Sequence, residues 1–371
     1  MSTNQQNSRI FGLDLMRATA LMLVMSSHTL WIYPPNDSVF TYFFRLVGFL
    51  GVEMFFVLSG FLIGTIFYKL YIQDDFTFKE VLYFLKRRWF RTLPNYYLYL
   101  ILNVIVAIII GYSYADIWKY LFFIQNFASQ MPAIYPEAWS LSVEEYTYLI
   151  LPFSVYLVTV FIKPKNKKYT FLTIIISLIL VFILTKWFYN ITTTNISLNQ
   201  WNVSLKNVVI YRIDAILYGV VISWLMINCK EFMIKHKNYF VFYALFLLFI
   251  VNIVLGYFGV SIEKNPTFWN VFYLPISSIT MSFFLPFLSQ WKSTKLRFKR
   301  VIIILSLISY SFYLIHYSIV MQLMKHFIKT DNFQLYEYHL FTLCFLIISI
   351  SLSYLNYKYY EKPMRNLRDK F

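Results

Sequence analysis

The chain has 371 residues, of which 59% are hydrophobic, 22% aromatic and only 13% charged, with a mean hydropathy of +0.58. Soluble domains average about 25% charged residues, so the composition excludes a large soluble domain and predicts an integral membrane protein. The net charge of +16 does not indicate nucleic acid, because the basic residues fall in short loops between apolar runs.

A helical span needs about 17–25 apolar residues. Such runs lie at roughly 11–31, 49–71, 92–111, 141–162, 169–188, 207–228, 239–258, 268–290, 301–325 and 336–358. They predict an all-α bundle of about ten transmembrane helices in a single domain, residues 1–371. No small-residue cleavage site follows the first run, so it is read as a retained helix. The aromatic interval 112–140 is read as an outer loop with an interfacial helix around Ile117 to Phe127.

An even number of spans puts both termini on one side. A cytoplasmic N-terminus places Lys86-Arg87-Arg88 with Arg91, the lysines of 163–168 and 230–237, the cations of 292–300 and the tail from Lys358 inside. Roughly 25 of the 33 Lys and Arg are then internal, as the positive-inside rule requires. Cys229 and Cys344 are isolated in or beside apolar runs and indicate no disulfide, metal site or redox role.

The first span holds Asp14, Arg17 and His28. Eleven helical steps bring His28 to within roughly 20° of Arg17 and about 16 Å further into the bilayer. Asp14 lies one turn before Arg17 on the same face. The plain structural alternative is an interfacial Asp14–Arg17 pair with a separately bonded histidine. The functional reading is a neutral imidazole that takes a proton from an attacking hydroxyl, beside an arginine that holds a phosphate or polarises a carbonyl.

Glu53 follows Gly48 and Gly51 in the second span, and Gly60 and Gly64 form a small-xxx-small pair suited to helix packing. Lys86-Arg87-Arg88-Trp89-Phe90-Arg91 precedes the third span. It serves either as a basic anchor or as a cradle for a polyanionic cytoplasmic donor such as coenzyme A, with bidentate arginines and a stacking Trp89. Trp139-Ser140-Leu141-Ser142-Val143-Glu144-Glu145 opens the fourth span. Ser142 and Glu145 fit a capping box. Trp139 beside Glu144 suits a sugar, the ring covering C–H groups while the acid binds hydroxyls. Arg212 and Asp214 could pair across helices, and the hydroxyl-rich surroundings of His316 suit a satisfied structural histidine.

These blocks resemble, in order, the acyltransferase-3 family of polytopic membrane acyltransferases. The Arg17 to His28 spacing matches its Arg-x10-His signature, GVEMFFVLSGFLIG (51–64) its second-helix motif and LKRRWFRTLPNYY (85–97) its arginine-rich loop. WSLSVEEYTYLILP (139–152), YRIDAILYG (211–219), ISYSFYLIH (308–316) and YKYYEKPMR (357–365) complete the set. The family often has aspartate where Glu53 stands.

The resemblance implies transfer of an acyl group, most often acetyl, from cytoplasmic acyl-CoA to a hydroxyl of an extracytoplasmic carbohydrate such as O-antigen lipopolysaccharide, exopolysaccharide or peptidoglycan. Acyl-CoA is expected as co-substrate on Arg17, Arg88, Arg91 and Trp89, with no tightly bound cofactor and no metal. His28 is expected as general base or transient acyl carrier, with Asp14 orienting Arg17. The acceptor, a carbohydrate or lipid-linked glycan, is expected near Trp139, Glu144, Glu53 and Arg212. Glu361 is expected to organise the donor mouth or to pair with Lys362 or Arg365. Some members append an SGNH hydrolase-like domain; the sequence ends at Phe371 without one, so the membrane domain or a separate partner is expected to complete the transfer. The expected location is a bacterial inner membrane, and the oligomeric state is open. The rival readings are an exporter of an acylated or sugar-linked compound and a non-catalytic scaffold. An exporter predicts matched Gly/Pro-broken helices in two halves; the prolines, such as Pro94 and Pro152, are expected mostly at helix ends.

Overall fold

The computed structural model describes residues 9–367 apart from 133 and 196. It is all-α, with no strand among the described residues. The long helices are α1 (Phe11–Thr29), α2 (Val39–Tyr71), α3 (Phe78–Ile110), α4 (Ala138–Ile162), α5 (Lys167–Thr192) and α6 (Ile213–Asn228). They continue with α7 (Lys237–Tyr257), α8 (Phe268–Leu288), α9 (Lys299–Phe327) and α10 (Leu335–Leu367). Eight of these are long and apolar enough to cross a membrane; α1 and α6 are the shorter two of the ten.

Several boundaries differ from the sequence expectation. α2 and α3 begin at Val39 and Phe78, so Lys86 to Arg91 lies inside α3 rather than in a loop. Capping explains both starts. Ser38 accepts from Thr41 N–H, and Thr77 forms a reciprocal capping box with Glu80, whose Oε2 accepts from Thr77 N–H at 2.6 Å. Hydropathy alone starts a helix at its first apolar residue, whereas a cap starts it where the orphan N–H groups find acceptors. The interfacial helix is shorter than expected, Ile117–Leu121. Pro94 and Pro152 lie inside α3 and α4, not at helix ends.

The capping box expected of Ser142 and Glu145 is not formed. α4 already begins at Ala138, so Ser142 is interior. Its hydroxyl donates to Ala138 C=O at 3.2 Å and accepts from Gln125 Nε2 at 2.7 Å.

α2 is central, packing on α1, α6 and α8. A Cβ at Gly60 would collide with the Ile216 carbonyl of α6, and one at Gly219 with the Val57 carbonyl of α2. The two backbones are therefore in direct contact, as small residues permit where lipid supplies no hydrophobic drive for helix association. Around this contact lies a core containing Phe56, Ile63, Phe67, Ile216 and Val220.

Candidate active site

The approach of α2 and α6 places charges from different helices side by side. Arg212 pairs with Glu53, both fully buried, and Glu53 Oε2 accepts from Ser278 at 2.6 Å. Asp214 pairs instead with Lys186 of α5, at 2.6 Å. Arg212 and Asp214 thus each have a partner on another helix and not each other. Glu53 and Arg212, expected at the acceptor, form an internal ion pair and are not part of the cavity wall described next. Glu361 is likewise internal. It accepts from Ser311 Oγ at 2.6 Å and Asn95 Nδ2 at 3.1 Å, rather than pairing with Lys362 or Arg365.

A cavity of about 100 Å³ lies among α1, α2, α3, α4 and α9. Arg17, Arg88, Arg91, Glu144, Tyr148 and Tyr313 are in its wall. Arg17 is fixed through α1 and α9: Nη1 donates to Ser306 Oγ at 3.1 Å and lies 3.6 Å from Asp14 Oδ1. Asp14 is shared with Arg9, at 2.6 Å, and accepts from Ser306 at 2.7 Å. Arg88 is buried, its guanidinium carbon 5.8 Å from the ring centroids of both Phe84 and Tyr148. Tyr148 OH donates to Glu144 Oε2 at 2.7 Å and meets Ser59 Oγ at 2.7 Å.

Glu144 therefore does not stand at an outer mouth apart from the arginines. It lies more than one and a half turns inside α4, about 9 Å from the start of the helix, and shares the cavity with them. Glu145 turns away to accept from Thr92 Oγ1 at 2.8 Å. Trp89 is exposed and outside the cavity wall. Trp139 is also outside it, packed edge-on against Phe56 at 5.7 Å.

His28 is not in the cavity wall either. Its Nδ1 lies 2.5 Å from Nε2 of His316, on α9. Tyr313 connects the two regions: it lines the cavity, its hydroxyl meets Ser140 Oγ at 2.8 Å, and its ring centroid is 6.1 Å from that of His316.

The contacts of His316 determine the tautomers of the pair. His316 Nδ1 faces the carbonyl oxygens of Phe312 and Tyr313, both at 3.0 Å. Carbonyls only accept, so Nδ1 carries the proton and Nε2 of the neutral ring is a bare acceptor. His28 Nδ1 must then donate across the 2.5 Å contact. That leaves Nε2 of His28 as an unprotonated nitrogen. It takes no hydrogen bond from any described residue. The His28 ring also stacks on Trp31, centroids 4.3 Å apart and planes 23° apart. A π face at that distance favours a positively charged imidazole. The second imidazole thus fixes the tautomer and the orientation of the first.

Sequence reasoning left His316 as a structural residue. Its signal was present in the hydroxyl-rich run before it, but its partner is 288 positions away and follows no local period. Among the described residues no group of three metal-ligating side chains occurs.

Comparison with known proteins identifies the family. Residues 10–358 match the family model described as an acyltransferase domain, of the acyltransferase-3 type, and the chain belongs to that family. It is 28% identical over 382 residues to a Staphylococcus aureus (strain COL) protein named "Putative O-acetyltransferase", with 95% of this chain and 57% of that protein aligned. A Bacillus subtilis (strain 168) protein named "Putative peptidoglycan O-acetyltransferase" is 29% identical over 167 residues, 40% of this chain and 24% of its own length. The Listeria monocytogenes "Peptidoglycan O-acetyltransferase" is 25% identical over 167 residues, 41% and 25%. The chain thus spans little more than half the length of the staphylococcal relative. No solved structure matches the chain at a significant level. It is a multi-pass membrane protein of an acyltransferase family.

Proposed function

We propose that this member of the acyltransferase-3 family transfers an acetyl group from cytoplasmic acetyl-CoA to a hydroxyl of an extracytoplasmic carbohydrate, with Nε2 of His28 as general base. The observation that carries the reading is the His28–His316 contact, which leaves one imidazole nitrogen of α1 bare and oriented. Peptidoglycan is the first acceptor to test, because two relatives are named for it. The distribution of basic residues supports cytoplasmic termini, and the bacterial relatives support the cytoplasmic membrane as the location.

Arg17, Arg88 and Arg91 share one cavity and suit the phosphates and carbonyls of a CoA-type donor. At about 100 Å³ the cavity is smaller than the roughly 300–1,000 Å³ of sites that enclose a whole drug-sized ligand. It fits the thin pantetheine end, with the nucleotide left at the exposed Arg91. The Tyr148 ring lies beside the Arg88 guanidinium, and its hydroxyl holds Glu144 in the same cavity. The acceptor oxygen attacks the thioester carbonyl while its proton passes to His28 Nε2. The carbon–sulfur bond breaks, and the proton returns to the departing thiolate, giving the ester and free CoA thiol. His316 and Trp31 stabilise the transient imidazolium.

The test is incorporation of labelled acetyl from acetyl-CoA into surface glycan by membranes containing the protein or its His28→Ala variant, matched for inserted protein. Loss of incorporation supports the reading. Full incorporation by the variant rejects His28 as base. An unlabelled glycan in the wild type, with transport of a free glycan, would favour an exporter.

A further inference from the structure

Glu137 is the residue immediately before α4, the position at which a carboxylate ordinarily caps its own helix. It makes no such cap: its backbone is already helical, at φ −62° and ψ −24°, and its side chain bonds to nothing in α4. The side chain instead crosses to α9, where Oε1 accepts from Ser318 N–H at 2.7 Å. Glu137 is only 4% exposed, and its Oε2 has no partner among the described residues.

Ser318 lies in an unusual stretch of α9. The helix is regular up to Ile315 and becomes π-helical from His316 to Met321. Ile315, at φ −108° and ψ −31°, departs from regular helical values where the wider turn begins. A π turn shifts the hydrogen-bond pattern by one residue and persists where something else holds it, often at functional sites. In a regular helix the Tyr313 carbonyl would accept from Tyr317 N–H; here His316 Nδ1 meets it at 3.0 Å. The bonds that define the His316 tautomer and the bond to Glu137 thus belong to the same turn.

We propose that Glu137 is a positioning residue: by accepting from Ser318 N–H it pins the π turn that holds the His316 ring against His28. The inference rests on the His28 reading above, since its catalytic consequence needs that base. The pin requires only an oxygen acceptor of the right reach. A role in proton transfer would require a carboxylate. Glutamine separates the two, because its amide oxygen accepts the same bond and cannot carry a proton.

The experiment uses the full chain in membranes or detergent, with Glu137→Gln, Glu137→Ala and Glu137→Asp. Glu137→Ala is expected to lower kcat about 10–100-fold, the range for an outer partner of a functional histidine, with KM for acetyl-CoA unchanged. Glu137→Gln is expected to stay within about twofold of wild type, and the shorter Glu137→Asp to fall between. Amide hydrogen exchange over residues 313–321 should quicken in the alanine variant and not in the glutamine variant, whatever the activity assay shows. Should glutamine lose as much activity as alanine while exchange stays at the wild-type rate, Glu137 moves protons and the positioning role is wrong. Wild-type kcat and exchange in Glu137→Ala would also overturn it. If alanine does not fold, unaltered exchange and kcat in Glu137→Asp would overturn it in the same way. Full activity in His28→Ala would instead remove the base and leave the exchange result standing as a statement about the turn.

Discussion

His28 of α1 and His316 of α9 stand 2.5 Å apart, nitrogen to nitrogen, and the second imidazole dictates which nitrogen of the first is bare. If His28 is the general base proposed above and His316 orients it, removing His28 should cost more than removing His316. His28→Ala is expected to lower kcat about 10²–10⁴-fold. His316→Ala is expected to lower it by about 10–100-fold. Because the two act as a unit, the double variant should fall little below His28→Ala. Single-turnover acetylation rates check this; an additive double variant would show that the imidazoles act independently.

Arg88 lines the cavity between the rings of Phe84 and Tyr148 and forms no ion pair with an acidic side chain among the described residues. If it meets a donor phosphate, Arg88→Ala removes a charge-assisted contact of about 1.5–3 kcal/mol. That corresponds to a Kd for acetyl-CoA raised by about 10–100-fold, with glycan affinity unaltered. Arg88→Lys should recover part of the loss, since the charge remains and the planar fork does not. Titration calorimetry on purified protein reads it directly, and unchanged binding after Arg88→Ala would remove this residue from the donor site.

The Glu53–Arg212 pair allows structure and chemistry to be separated. Either single neutral replacement leaves a fully buried charge alone and should destabilise the protein by about 3–5 kcal/mol. The double variant Glu53→Leu with Arg212→Met removes both charges and should recover most of the lost thermal stability. If it also recovers acetylation, the pair is a structural strut. If it is stable and inactive, one of these two groups contacts the acceptor.

The α2–α6 contact predicts a sharp difference between glycines. Gly60→Ala drives a methyl group into the Ile216 carbonyl and should destabilise the fold by about 1–3 kcal/mol. Gly256→Ala meets nothing within 4 Å and should be neutral or slightly stabilising. Thermal unfolding in detergent with the two variants side by side tests it.

Much of the architecture was legible from residues. Each of the ten apolar runs contains a long helix, although the sixth becomes α-helical only at Ile213, because hydropathy acts locally and adds along a run. Starts were less legible where polar caps precede the apolar stretch, as at Thr77 of α3. The site was legible in part. Arg17, Arg88 and Glu144 do share a cavity, but Trp89 and Trp139 lie outside it. Their placement depends on which face of α3 and α4 turns inward, and a helix rich in aromatic residues on every side does not declare that face.

The sequence by itself determined the solvent and the element order: a bilayer, ten helices, and an arginine and a histidine on one stripe of the first. Those properties follow from local composition and a 3.6-residue period. Only the tertiary structure decided the partnerships. Arg212 chose Glu53 over its neighbour Asp214, His28 met His316, and Glu137 reached across to Ser318 instead of capping its own helix. Buried polar groups must find partners wherever packing brings them, and the close approach of backbones at Gly60 and Gly219 governs part of that packing.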